Sequence, residues 1–226
     1  MRILLFGPNG QVGTEIRRQA HASGLEVVPA GREAVDLSKP GAAATLISQS
    51  DCDGVINASA YTAVDKAETE AELAGAVNTD APAAMAEACA AAGLPFVHYS
   101  TDYVFDGTSS RPYRETDPTS PLGVYGRTKA DGEAAVMAAG GTAAVIRLAW
   151  VFSAHGANFV KTMLRVGPER GGVRVVADQV GKPTPATDAA RQEVMSQIPG
   201  MENYTSTDYS LATAEKLIEF RPMDVV

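Results

Sequence analysis

Apolar residues along this chain fall into short continuous runs, separated by stretches where they recur at helical spacing. Ile3-Leu4-Leu5-Phe6 is the first such run, the pattern of a parallel strand buried on both faces. Behind it, Val12, Ile16 and Ala20 share one face of a helix expected over 11–22, with Gly24 placed to end it. The alternation continues. Strands are expected at 26–30, 54–57, 95–99, 143–148 and 173–177. Helices are expected at 42–50, 70–78, 81–92, from near Leu122 through 139, and at 158–165 and 213–220. Strands that alternate with helices in this way predict an α/β fold with a doubly wound parallel sheet of the Rossmann type.

Candidate chemistry gathers where strands end. Gly7-Pro8-Asn9-Gly10-Gln11-Val12-Gly13 follows the first strand and opens the first helix. In that context glycines let backbone N–H groups approach a pyrophosphate at a helix N-terminus. The spacing is GxxGxxG rather than GxGxxG, and a purely structural turn is the alternative. The second strand ends in Gly31-Arg32. An acid there would bind ribose hydroxyls, whereas a guanidinium can hold a 2′-phosphate. Arg32 is either that ligand or a solvated surface arginine, with Glu33 beside it. Ala58-Ser59-Ala60 follows the third strand and Ser100-Thr101-Asp102 the fourth, both at the ligand edge of such a sheet. His98 reads as a satisfied core residue. Tyr125 and Lys129 are four apart and lie on one helix face. An ammonium beside a phenol favours the phenolate, and such a pair can protonate a carbonyl oxygen as hydride reaches its carbon.

Composition narrows the partners. The 226 residues are 45% apolar, enough for one sizeable packed core. A net charge of −8 argues against nucleic acid or an anionic membrane surface as the main partner. No apolar run approaches membrane-spanning length, and the N-terminal run is too short for a signal segment. Cys52 and Cys89 fit no metal spacing and read as reduced thiols, so a cytoplasmic protein without a bound metal is expected.

GPNGQVG, NASAYTAVDKAE, HYSTDYVFDG, SPLGVYGRTK, RLAWVF, NFVKTML and DQVGKPT together resemble the extended short-chain dehydrogenase/reductases, nearly continuously as far as Thr184. The resemblance implies a catalytic set of Thr101, Tyr125 and Lys129. Tyr125 would donate the proton, Lys129 would lower its pKa and hold the nicotinamide ribose, and Thr101 would orient the substrate carbonyl. It implies cofactor contacts from Gly7, Asn9, Gly10, Gln11, Val12, Gly13, Arg32, Asp36, Leu37, Ala58, Ser59 and Ala60. Substrate contacts would come from Val64, Asp65, Thr101, Asp102, Tyr103 and Trp150. The implied reaction is reduction by NADPH or NADH, with NADPH slightly favoured, of the 4-keto group of a dTDP-4-dehydro-6-deoxy-L-mannose to dTDP-L-rhamnose. Related dehydratases carry an Asp-Glu pair after the active-site Thr. Here Tyr103 follows Asp102, which favours simple reduction.

The resemblance also divides the chain into a dinucleotide domain, 1–184, and a reduced substrate lobe, 185–226. Members of the family tend to dimerise, some through magnesium. Glu15 matches one such position, but Thr187 stands where another acid is expected, so no metal is carried over. A reductase of another nucleotide-linked keto sugar, and a cofactor-binding regulatory or scaffold protein without turnover, are the alternatives.

Overall fold

The computed structural model describes residues 1–22 and 24–190. Five parallel strands form one sheet: β1 (Arg2–Phe6), β2 (Glu26–Ala30), β3 (Gly54–Asn57), β4 (Phe96–Thr101) and β5 (Ala143–Leu148). Their order is β2-β1-β3-β4-β5. Parallel pairing requires crossovers, and helices supply them: α1 (Gln11–Ala22), α2 (Ala42–Gln49), α3 (Val64–Ala67), α4 (Ala71–Gly75), α5 (Ala81–Ala92) and α6 (Val124–Ala138). The fold is the doubly wound α/β architecture the sequence predicts.

The pleat of β1 shows why its apolar run is continuous. Ile3 and Leu5 point to one face and pack with Ile16 of α1, Ile56, Val97, Tyr99 and Ile146. Leu4 and Phe6 point to the other and pack with Ile47 of α2, Met85 and Cys89 of α5, and Val136 of α6. Each such side chain, withdrawn from water, contributes roughly 1.5–3 kcal/mol. The sheet order turns at β1, which has β2 on one side and β3 on the other. The carboxyl ends of β1 and β3 therefore open the crevice where ligands bind in such sheets.

The two helical stretches expected at 70–78 and 81–92 form one continuous path. A π-helical turn, Ala76–Asp80, joins α4 to α5, and every joint residue keeps right-handed helical angles. Asn78 sits in this wide turn. Its Oδ1 accepts from the Tyr61 N–H (2.9 Å), and its Nδ2 donates to the Tyr61 carbonyl (3.1 Å) and to Thr128 Oγ1 (3.2 Å) on α6. Gly132 makes the approach of α6 possible, since a Cβ there would stand 2.1 Å from the Asn78 carbonyl oxygen.

The second half of the chain departs from expectation. No strand forms at 173–177. Val173, Val175 and Val176 are exposed there, because valines favour a strand only where a neighbour gives them a half-buried, paired surface. The chain instead makes a small parallel pair, β6 (Val151–Phe152) with β7 (Thr184–Pro185). The helix expected at 158–165 is α7 (Phe159–Arg170), capped by the Asn158 side chain and ended by Gly171 at φ 69°. After α8 (Ala186–Asp188), Ala189 and Ala190 pack on the α1 side of the sheet, and Tyr99 Oη donates to the Ala189 carbonyl (2.8 Å). The helix expected at 213–220 lies outside the described residues. No described helix is long and apolar enough to cross a membrane.

Candidate active site

The three glycines of the first turn do different things. Gly7 has φ 75°, and a Cβ on it would stand 2.6 Å from the Ala58 carbonyl oxygen and the Ser59 nitrogen. Gly13 meets the Gly7 carbonyl oxygen, which a Cβ would approach to 2.1 Å. Gly7 thus serves the turn and the contact with the loop after β3, and Gly13 the close seating of α1. Gly10 has no such demand. Its nearest neighbour would lie 3.5 Å from a Cβ, and the residue is exposed at the N-terminus of a 12-residue helix. Asn9 is exposed beside it, and Gln11 and Val12 are half-buried. Gln11 ties this turn to the chain after β5: its Nε2 donates to the Val151 carbonyl (3.2 Å), and its Oε1 accepts from Asn158 Nδ2 (2.9 Å).

Thr101 ends β4 and caps the short 3-10 turn Asp102–Val104, its Oγ1 accepting from the Tyr103 N–H (3.2 Å) and donating to Asp102 Oδ1 (3.2 Å). Tyr125, in the first turn of α6, stands beside this turn, close enough to Thr101, Asp102 and Tyr103 for each to act on its phenol. Burial pushes the Tyr125 phenol above its ordinary range; the nearby Thr101 hydroxyl opposes this, and Asp102 and Tyr103 add to it. The phenol is therefore held protonated, the state a proton donor needs. Burial likewise raises the Asp102 carboxyl, against the hydrogen bond from Thr101. The Tyr103 ring stands edge-on to Tyr125, with centroids 5.5 Å apart.

Lys129 is buried one turn further along α6, and its Nζ donates to the Tyr99 carbonyl (2.6 Å) and lies 3.2 Å from His98 Nε2. Burial brings its pKa down to about 8, against a smaller opposing pull from Glu133. The amine is thus turned toward β4, and the groups that move the Tyr125 phenol are Thr101, Asp102 and Tyr103. This differs from the expectation that Lys129 depresses the tyrosine.

The remaining expected residues lie on other elements. Val64 and Asp65 lie on α3, whose following residue Glu68 accepts from the Val124 N–H (2.7 Å) and so caps α6. Trp150 has φ 46° and is half-exposed. A left-handed backbone on a bulky residue costs of order 1–3 kcal/mol and gathers at functional sites. The face of its indole lies against Gly181, where a Cβ would come within 2.6 Å of the ring. Arg32 is exposed after β2. Asp36 accepts from the Ser38 N–H (3.0 Å) and Oγ (2.7 Å), which hold its carboxyl below the usual range. Leu37 lines a cavity of 240 Å³ with Pro40, Ala43 and Ala81. Sequence reasoning did not single out Asn78, Glu68 or Gly126 and left His98 to the core, because the partners of these residues are distant in the chain.

Residues 1–212 match the family model described as RmlD substrate binding domain. The chain belongs to this family. Over 190 residues it is 49% identical to a dTDP-4-dehydrorhamnose reductase of Burkholderia thailandensis, covering 84% of this chain and 63% of that one. The chain thus spans 63% of the length of this curated RmlD-family relative. A dTDP-4-dehydrorhamnose reductase structure from Clostridium acetobutylicum superposes with a TM-score of 0.81 at 40% identity, covering 84% of this chain and 68% of the other. A Bacillus anthracis enzyme of the same name, in complex with NADP, gives 0.80 at 33% identity over 84% and 67%.

Proposed function

We propose that this RmlD-family chain forms the cofactor-binding and catalytic part of an NAD(P)H-dependent dTDP-4-dehydrorhamnose reductase. The observation that carries the reading is the placement of Tyr125, in the first turn of α6, beside Thr101, Asp102 and Tyr103 at the carboxyl end of β4, on the sheet edge that also bears the glycine turn. The residues present fit a dinucleotide. Gly10 leaves its backbone open at a helix N-terminus, where the helix dipole favours a pyrophosphate. Gly7 through Gly13 would hold the pyrophosphate, Ala58, Ser59 and Ala60 would line the opposite wall, and Arg32, Asp36 and Leu37 would take the adenosine end. Lys129 would hold the nicotinamide ribose.

Bound NADPH or NADH supplies the hydride. The chain's own part is acid catalysis and placement. Thr101 hydrogen-bonds the substrate's C4 oxygen. Tyr125, kept protonated by burial, gives its proton to that oxygen as the carbon is reduced. Val64, Asp65, Asp102, Tyr103 and Trp150 face the dTDP-4-dehydro-6-deoxy-L-mannose. Asp102 has Tyr103 and not a second carboxylate after it, so dehydration lacks its acid/base partner. We assign residues 1–184 to the cofactor and 185–226 to the substrate side, in a cytoplasmic protein that pairs as a homodimer.

The test is to follow cofactor oxidation by the purified chain with this dTDP-sugar, using NADPH and NADH in turn, with cofactor binding measured separately. Oxidation of the cofactor with appearance of dTDP-L-rhamnose is expected. Tight cofactor binding with no oxidation would replace the reading with that of a cofactor-binding protein without turnover.

A further inference from the structure

Ser59, Asn57, His98 and Lys129 form a chain of polar contacts that runs from the loop after β3 into the core beneath α6. Asn57, His98 and Lys129 are all buried. Its polarity is fixed at one end. The Ser59 backbone N–H can only donate, and it donates to Asn57 Oδ1 at 3.0 Å, as does the Ser59 hydroxyl. The Asn57 amide nitrogen is thereby turned to His98 Nδ1, 3.1 Å away. An amide NH2 only donates, so Nδ1 accepts, and a neutral imidazole then carries its proton on Nε2. That Nε2 stands 3.2 Å from Lys129 Nζ. An ammonium there would set two donors against each other. A free amine accepts from Nε2–H with its lone pair and still donates to the Tyr99 carbonyl.

We propose that His98 is a positioning residue for Lys129: held by Asn57 as the Nε2–H tautomer, it favours the free amine and so sets the charge state of Lys129. The proposal rests on the reading of Lys129 as the residue that would hold the nicotinamide ribose. A protonated His98 would leave Nδ1 facing the Asn57 donor, and its burial next to Lys129 holds its pKa well below the ordinary histidine value. The surrounding titratable groups do not reverse the argument. Glu133 on α6 favours the ammonium, but its carboxylate is held by the Arg147 guanidinium on β5 at 2.6–3.1 Å. Glu68, packed under the start of α6, is bonded to the Val124 N–H. Asp80 and Glu87, on the helical path alongside α6, are exposed. Tyr125 is protonated, Asp102 is bonded to Thr101, and Tyr99 directs its hydroxyl to Ala189 on the other side of the sheet.

The test is nuclear magnetic resonance on the whole chain. Long-range proton–nitrogen spectra of the three histidines, with His98 assigned through His98→Gln, read the tautomer directly. The Nε2–H form is expected throughout, from about pH 6 to 9. The Lys129 Cε shift, followed to alkaline pH, reads the amine. In His98→Gln an amide oxygen can accept from an ammonium, so proton affinity at Lys129 should rise about tenfold or more. An Nδ1–H tautomer in the native chain overturns the proposal, even if the variant does not fold. An unchanged Lys129 midpoint in a folded variant overturns it as well. Both measurements are made without substrate, so a failed reductase assay and a failed tautomer assignment are separate results.

Discussion

The backbone of Gly126 lies against the carbonyl of Tyr103, so closely that a Cβ on Gly126 would stand 2.3 Å from that oxygen. This contact locks the first turn of α6, which carries Tyr125, to the turn that carries Asp102 and Tyr103. Alanine normally stabilises a helix interior relative to glycine by about 1 kcal/mol. Here the overlap with backbone has no flexible side chain to absorb it and should cost about 1–3 kcal/mol. Gly126→Ala is therefore expected to lower stability in denaturant titration. It should also cut reduction at least about tenfold, because Tyr125 shifts relative to Thr101. A more stable variant with full turnover would contradict the interlock.

Tyr125→Phe removes the hydroxyl and keeps the ring that meets Tyr103 edge-on. Cofactor affinity should stay near normal, since the glycine turn is untouched. Turnover should fall about a hundredfold or more through loss of general-acid catalysis. Stopped-flow reduction and a cofactor titration on the same preparation separate the two effects. Near-normal turnover would remove Tyr125 from the acid role.

What the sequence revealed, and what it hid, follows from the range of the contacts. The glycine turn, the carboxyl ends of the first five strands to within two residues, and the helical spacing of Tyr125 and Lys129 are local patterns, and these appear where the periodicity puts them. The interior face of α6 is different. It buries Gly126, Thr128, Lys129, Gly132, Glu133 and Val136. Five of these are small or polar, so hydrophobic periodicity carries almost no signal for that face. The choice of glycine at 126 and 132 is set by the carbonyls of Tyr103 and Asn78, far away in sequence. His98 looks like an ordinary core residue until Asn57 and Lys129 are placed on either side of it. The valines at 173–177 give the opposite error, a strong strand signal with no partner strand.

Burial of Lys129 makes a pH prediction for stability. Its pKa is near 8 in the folded chain against an ordinary 10.5, so the folded state releases this proton at lower pH than the unfolded state. Below about pH 8 both states are charged, and the full cost of burying the ammonium falls on the fold. Between those two values the unfolded state binds more protons, and stability rises with pH. Above the upper value both are neutral and the cost is gone. The whole gain is at most roughly 3 kcal/mol. Lys129→Met lacks the group, so the stability of the native chain relative to this variant should climb across that window. Urea melts of both proteins at several pH values measure it. A flat or falling difference would show that the amine is not desolvated as the structure places it.

Cofactor choice turns on the end of β2, where two charges compete. Glu33 folds its carboxylate back over Gly31, so that a Cβ there would lie 2.3 Å from Oε1, while Arg32 reaches outward and is exposed. A carboxylate at this place suits the ribose hydroxyls of NADH and repels a 2′-phosphate; a guanidinium binds that phosphate. A charge-assisted hydrogen bond of this kind contributes about 1.5–3 kcal/mol. Arg32→Ala should therefore weaken NADPH about tenfold to a hundredfold and leave NADH nearly unchanged. Glu33→Gln should move the ratio the other way, tightening NADPH while loosening NADH. Fluorescence titration of both cofactors against the native chain and the two variants gives the four affinity changes. Equal weakening of both cofactors by Arg32→Ala would mean the guanidinium supports the loop and does not read the phosphate. An unchanged ratio in Glu33→Gln would mean its carboxylate stays clear of the ribose.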